Sequence, residues 1–509
     1  MKRFGVLASA LALVPALGGC TVGPNFAAPH WANPVSWFSN RPKEAGVPSE
    51  PVAQPINPDW WRIFNDPKLT GLERQVAADN LDVRTAGIRI AESRAQLGVT
   101  AASQYPFVNG NASYEREKAS NNGIFGIATS QQSSTANQAN GAFGNSTGGV
   151  TPTTNIPPFD VYQYGFDASW EPDLWGEVRR SIESARATVA ASEDARRAAL
   201  LSALAEVARD YIDLRGTQEQ LRIARENLRT AEQGLNLTQQ RATAGVTTDL
   251  DVANASAQVS TTAAQIPSLQ QHEQEDINAL SLLLGMMPHA LETELATPEP
   301  VPPVPRYVPV GFPSELARRR PDIREAEAQL HSATANIGVA VAAFYPQVTL
   351  SASFGFQSLN FGKLWSWNAR QYGVGPNVTL PIFQGGQLRY TLALRKAQEQ
   401  EAAVNYTKTV LQAWHDVDNA LTAYEREQQR RAELIRAVAQ NQRALSLAQA
   451  RYQEGVADFL SVLTAEQQLL STQQQLANST TTVSTNLVAL YKALGGGWQP
   501  FYPAQASRE

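Results

Sequence analysis

Four short stretches of the chain alternate apolar and polar side chains with a period of two. In the first, Val108, Gly110, Ala112 and Tyr114 face one way and Asn109, Asn111, Ser113 and Glu115 the other. In the second, Tyr162, Tyr164, Phe166, Ala168 and Trp170 oppose Gln163, Gly165, Asp167 and Ser169. In the third, Val348, Leu350, Ala352, Phe354 and Phe356 oppose Gln347, Thr349, Ser351, Ser353 and Gly355. In the fourth, Tyr372, Val374, Val378 and Leu380 oppose Gln371, Gly373, Asn377 and Thr379. Each stretch is about 10 residues, the length of a tilted strand that crosses a bilayer. A half-buried soluble sheet shows the same alternation, but three details favour a membrane barrel. Aromatics crowd the apolar face, they gather near the strand ends, and the polar face is small and uncharged apart from Glu115 and Asp167. Four strands cannot close. Open edges are not tolerated in lipid, and the smallest membrane barrels have about 8 strands. Strands in a membrane would therefore have to be pooled among several chains.

The rest of the pattern is mostly helical. A period near 3.6 starts around Asp66 and persists to about Gln104. From Gly176 to Ala244 there is no proline, and the only interior glycines are Gly216 and Gly234. About 69 helical residues reach roughly 100 Å. The pattern returns from Gly385 to Glu454, and lengths of this order imply coiled-coil-like packing. Shorter helices, about 248–285 and 457–494, follow turns at Gly245-Val246 and Gly455-Val456. Residues 119–160 are Gly, Asn, Ser, Thr and Gln with few large apolars, a surface loop. The shorter loop 357–370 carries Trp365 and Trp367.

The pattern also repeats. Tyr105-Pro106 reappears as Tyr345-Pro346, and Pro172-Asp173-Leu174-Trp175-Gly176 as Pro381-Ile382-Phe383-Gln384-Gly385. Arg241-x-x-x-Gly245-Val246 reappears as Arg451-x-x-x-Gly455-Val456. We expect two copies of one half-chain. The first spans 66–290, with strands about 107–116 and 161–171 and a long helix about 176–244. The second spans 313–495, with strands about 347–356 and 371–381 and a long helix about 387–454. A Pro-rich link (291–312) joins them, an extended segment (20–65) precedes them and a tail (496–509) follows.

Composition narrows the class. The 509-residue chain carries a net charge of −5, so no basic field draws it to nucleic acid. Its one cysteine, Cys20, ends the sequence Leu17-Gly18-Gly19-Cys20. Lys2 and Arg3 precede an apolar run of about 14 residues, too short for a spanning helix and typical of a secretory signal (1–19). Leu-Gly-Gly-Cys resembles the bacterial lipobox, in which the cysteine is acylated and becomes the mature N-terminus. Thr21 in place of an aspartate favours, by resemblance to lipoprotein sorting, the outer membrane. No later stretch of about 18 uninterrupted apolar residues occurs. Enzyme signals are lacking. The five histidines, His30, His272, His289, His331 and His415, are scattered, with no His-Glu-x-x-His or paired Cys spacing. His415 lies beside Asp416 and Asp418, but adjacent helical residues do not share a face. Gly144-Asn145-Ser146-Thr147-Gly148 lacks the context and Lys of a phosphate loop. We expect no catalytic, metal or cofactor site.

The stretch Arg320-Pro321-Asp322-Ile323-Arg324-Glu325-Ala326-Glu327-Ala328-Gln329-Leu330, with Ala335-Asn336-Ile337-Gly338-Val339-Ala340 and Tyr345-Pro346, closely resembles the signature of outer-membrane efflux factors. These are the TolC-like proteins, and specifically the NodT-type lipoproteins of tripartite drug exporters. Cys20-Thr21-Val22-Gly23-Pro24-Asn25-Phe26 resembles their mature N-terminus, and the resemblance covers essentially the whole mature chain. It implies a homotrimer in which four strands per chain give a twelve-stranded transmembrane β-barrel joined to a long-helix α-barrel. It also implies a diacylglycerol and N-acyl lipid on Cys20, a location in the outer membrane of a Gram-negative bacterium, a periplasmic membrane-fusion adaptor and an inner-membrane RND-type transporter. The function implied is a passive exit duct for drugs or other small toxic compounds. A channel for secreted proteins and a trimeric envelope tether remain open as alternatives. Relatives constrict the tunnel near the second tip turn with an arginine, a tyrosine, a leucine and an aspartate. Arg451, Tyr452 and Leu460 match, whereas Thr464 stands at the aspartate position. Asp458, Asp249 and Asp251 lie near the tips and could supply negative charge as rings around a pore, or could be ordinary helix-cap carboxylates. Gly245, Val246, Gly455 and Val456 form the expected adaptor-docking turns, while Gly176 and Gly385-Gly386 read as structural bends.

Overall fold

The computed structural model describes residues 21–29, 36–37, 48–118 and 158–502. Cys20, the segment 1–19, His30 and Gly144–Gly148 lie outside these residues. In chain order the elements are β1 (Glu50–Val52), α1 (Pro67–Asp79), α2 (Leu81–Ala102), β2 (Phe107–Glu117), β3 (Phe159–Trp170), α3 (Glu177–Thr243), α4 (Asp249–Leu283) and β4 (Tyr307–Pro309), then α5 (Pro321–Ala342), β5 (Gln347–Ser358), β6 (Arg370–Thr379), α6 (Gln387–Gln453) and α7 (Phe459–Ala493). Helix lengths recur between the halves: α2 and α5 have 22 residues, α3 and α6 have 67, and α4 and α7 have 35. The chain divides into two compact units. One comprises Met1–Asn25, Leu97–Glu183 and Ala335–Lys396, and the other the remainder. Among the described residues, no helix is long and apolar enough to cross a membrane.

The first unit holds a four-stranded antiparallel sheet in the order β2-β3-β5-β6. Its register keeps the apolar positions together, because residues directly opposite one another share a face. Val108, Ala168, Ala352 and Val374 form one row, and Gly110, Phe166, Phe354 and Tyr372 the next. From Val348 to Phe356 this face runs about 27 Å along the strand. Much of it lies open among the described residues: Val374 is 82% exposed and Phe166 62%. On the opposite face the strands leave no room for side chains at one point. Gly165 and Gly355 pair directly, and a Cβ on either would lie 2.6–2.7 Å from a carbonyl oxygen of the other strand. Paired glycines at a close approach are how a sheet acquires curvature.

The strand–helix junction is anchored in the same unit. The Trp175 indole donates to the Pro346 carbonyl (2.7 Å) and stacks on Tyr345 at 4.8 Å. The segment after Cys20 docks here. Val22 N–H donates to the Trp175 carbonyl (3.1 Å), and the buried Arg180 guanidinium donates to Asn25 Oδ1 (2.6 Å). Gly176 has φ +85, and a Cβ there would strike Thr21. Its structural reading therefore rests on both conformation and space.

The second unit is helical around an apolar core that includes Trp60, Trp61, Phe64, Leu204, Tyr211, Tyr424, Leu487 and Tyr491. Asp66 caps α1 by accepting from Lys68 and Leu69 N–H, and Pro67 occupies the first helical position. The helical period from Asp66 to Gln104 is not one helix. Asn80 interrupts it, its side chain capping Asp82 and Val83. The link 291–312 is more ordered than its prolines imply, because Tyr307–Pro309 pairs in parallel with Glu50–Val52. A short 3-10 helix, Trp60–Phe64, likewise occupies the segment expected to be extended. In the tail, Trp498 is buried and its indole donates to the Arg319 carbonyl (3.1 Å). Arg320 of the signature bonds Asp322, Asp416 and the Ala493 carbonyl, tying α5 to α6 and α7. Asp416 is thereby committed to Arg320 rather than to His415. Between α4 and α7, Gln467 donates to Gln258 (3.1 Å), and seven residues on Gln474 donates to Gln265 (2.8 Å).

Gly355→Ala should lower the midpoint of thermal unfolding, since overpacking against backbone costs about 1–3 kcal/mol. Gly375→Ala, where the added Cβ meets nothing within 4 Å, should leave it in place. Equal midpoints for the two variants in a circular-dichroism melt would refute the close approach.

Candidate gate at the helix tips

Both long helices end in the same six-residue geometry. Gly245 (φ +71) donates to Ala242 O at 2.9 Å, and Val246 to Arg241 O at 2.9 Å. Gly455 (φ +77) donates to Tyr452 O at 3.0 Å, and Val456 to Arg451 O at 2.9 Å. This is the Schellman arrangement, which needs a left-handed residue and so a glycine. Val246 and Val456 are exposed, as are Leu250 and Leu460 four residues on.

The aspartates separate by role. Asp251 closes a capping box with Thr248 and also accepts from Thr247, which holds its carboxyl below the usual range. Asp458 caps α7, accepting from Ser461 N–H (3.1 Å) and Oγ (2.8 Å). Both are occupied by local structure. Asp249 is exposed and makes no side-chain bond among the described residues. Thr464 is exposed and its hydroxyl donates back to the Leu460 carbonyl (2.8 Å), so it offers oxygen without charge. Arg451 is exposed and unpaired among the described residues.

Tyr452 is not at an open surface of the chain. It is 4% exposed, packs on Phe459 at 5.6 Å, and its hydroxyl has no hydrogen-bond partner among the described residues. Arg241, from the other half, covers it. The guanidinium lies 4.5 Å above the ring, and Nη1 donates to the carbonyls of Tyr452 (2.7 Å) and Gln453 (3.2 Å). A cation on the last carbonyls of α6 also meets the negative end of that helix. Arg241 was visible in the sequence only as the counterpart of Arg451; nothing local marked it as the bridging member.

The family model for outer membrane efflux proteins matches residues 72–286 and 312–496. The chain belongs to the outer membrane efflux protein family. It is 33% identical over 490 residues, 95% of this chain and 93% of the relative, to the antibiotic efflux pump outer membrane protein ArpC of Pseudomonas putida. It is 30% identical over 439 residues, 86% of this chain and 88% of the relative, to the probable outer membrane lipoprotein SilC of Salmonella typhimurium. The solved structure of the outer-membrane channel OprN matches with a TM-score of 0.83 at 33% identity, covering 94% of this chain and all of that one. This efflux protein is thus an outer-membrane channel component, from a family of transporters rather than enzymes. Among the described residues, no group of three or more His, Cys, Asp or Glu side chains is placed to hold a metal ion.

One carboxylate near the second tip turn escaped sequence reasoning. Glu466, two residues past Thr464, is 8% exposed and faces Gly234 of α3, whose Cβ position lies 3.8 Å from Oε1. Oε1 has no hydrogen-bond partner among the described residues, and burial, partly offset by a hydrogen bond from Gln449, pushes the carboxyl up to about 7. Between α3 and α4, burial also raises Asp213 and Asp276 to about 6 each.

Arg241→Gln should cost about 2 kcal/mol of local stability. Amide exchange should quicken across 450–460, whereas Arg451→Gln should leave it alone; equal exchange in both variants would remove Arg241 from the bridge. For Glu466 the folded protein holds a proton between about pH 4.5 and 7 that the unfolded chain has lost, so stability falls as pH rises through that window. Glu466→Gln should therefore raise the melting midpoint at pH 8 and flatten the decline, matching the parent below about pH 4.5. Parallel pH profiles would show that the carboxyl is solvated.

Proposed function

We propose that three copies of this efflux protein pool their strands into a twelve-stranded barrel in the outer membrane. In this reading the long helices form a periplasmic tunnel that serves as a passive exit duct for small toxic compounds. The open four-stranded sheet carries the reading. Much of its apolar face is exposed, and both outer strands, β2 and β6, lack a partner among the described residues. Lipid tolerates neither a single such sheet nor its edges. The recurrence of helix lengths of 22, 67 and 35 residues supports an internal duplication. The similarity to ArpC, an antibiotic efflux pump outer membrane protein, supports drugs as cargo.

The helix tips are proposed as gate and docking rim. The exposed Val246, Leu250, Val456 and Leu460 offer paired aliphatic contacts to a periplasmic adaptor, which would couple the duct to an inner-membrane RND-type transporter. Arg451, Asp249 and Thr464 are the polar tip groups left for the aperture; Asp251 and Asp458 shape the turns. Acylation of Cys20 fits the docking of Thr21 and Val22 at the strand–helix junction, where a lipid chain would enter the bilayer boundary.

The test is conductance of the purified protein in planar bilayers. Discrete steps are expected, and Thr464→Asp should raise cation selectivity by adding a ring of charge. A protein that binds bilayers without conducting would be a tether. A deletion strain should become more susceptible to several antibiotics; unchanged susceptibility, with conductance intact, would favour protein secretion.

A further inference from the structure

The loop between β5 and β6 is folded back onto the apolar face of the sheet. On that face the rows continue past Phe354: Ala112, Tyr164, Phe356 and Arg370 form one row, and Tyr114, Tyr162 and Ser358 the next. Arg116 and Asp160 then close the face as an ion pair at 3.4 Å. The loop, Leu359–Ala369, is built from two 3-10 turns, Phe361–Lys363 and Trp367–Ala369. Asn360 caps the first by accepting from Gly362 N–H (2.9 Å), and Leu364 is buried beneath. Its rings seat on the strands. Phe361 meets Tyr162 at 5.4 Å, Trp365 meets Tyr164 at 4.9 Å, and Trp367 meets Phe356 at 6.5 Å. Trp365 and Trp367 nonetheless stay 67% and 66% exposed.

The charge here has one sign. Residues 357–370 contain Lys363 and Arg370 and no Asp or Glu. Neither cation has a carboxylate partner among the described residues, and the nearby Asp160 is taken by Arg116 and by the Tyr114 hydroxyl (3.0 Å). The Arg370 guanidinium lies 4.7 Å over the Trp367 ring and donates to its carbonyl (2.8 Å), which fixes its position. Half-exposed tryptophans beside unpaired cations match the boundary between acyl chains and anionic headgroups.

We propose that the β5–β6 loop is a docking surface for the phosphate-bearing headgroup of an outer-leaflet lipid. Trp365 and Trp367 rest at the acyl boundary, and Lys363 and Arg370 hold the phosphate, the latter in the planar fork that suits phosphate oxygens. This rests on the barrel reading. The loop continues the face proposed to meet lipid, at the end of the sheet away from the junction at Pro346 and Trp175.

The experiment titrates the full-length protein in detergent with lipid A, with dephosphorylated lipid A and with inorganic phosphate, counting bound lipid by native mass spectrometry. Lipid A should bind about tenfold more tightly than its dephosphorylated form. The double variant K363Q/R370Q should abolish that preference, while W365A/W367A should weaken both lipids alike. Equal binding of the two lipids, an unaltered preference in K363Q/R370Q, or displacement of lipid A by millimolar phosphate would each overturn the inference. Conductance is measured on the same preparations. Normal conductance with no phosphate preference removes the docking surface alone, whereas a non-conducting parent protein removes the barrel.

Discussion

A strand at the edge of a sheet exposes a row of backbone amides and carbonyls, and hydrocarbon offers them nothing. That constraint governs the four-stranded sheet of this protein. In water the unpaired sides of β2 and β6 would be an aggregation hazard; in lipid they would be forbidden. An exposed apolar face is costly in water, and edges left open among the described residues would be costly to a single chain in lipid. Gly165 and Gly355 pair where neither strand has room for a Cβ, the kind of position at which a sheet can curve.

The two helix tips share one backbone solution and use it differently. Both turns need glycine, and both are followed by exposed valine and leucine. The arginines four residues before each glycine differ in their contacts. Arg241 is spent on Tyr452 and the end of α6, while Arg451 faces solvent. One half therefore supplies the bridge that the other half lacks.

Much of this was legible from residue order alone. Period two placed four strands with their faces, because alternation is a direct consequence of strand geometry. Glycine at 245 and 455 placed the tips, because few other residues tolerate that conformation. Other features were hidden because they depend on partners distant in sequence. The pairing of Glu50–Val52 with Tyr307–Pro309 joins two proline-rich segments that each lack a period. Burial of Glu466 depends on a notch at Gly234 in a different helix. Tyr452 is an aperture candidate by family resemblance, and its cover, Arg241, lies 211 positions away.

The glutamine pairs between α4 and α7 carry a consequence of their own. Gln258 with Gln467 and Gln265 with Gln474 repeat at heptad spacing, and neither pair bears charge. Ion pairs at these sites would loosen in brine and tighten in fresh water. Neutral amides hold register without that sensitivity. A helical body bathed in a compartment that equilibrates with the surrounding medium keeps its alignment through osmotic swings.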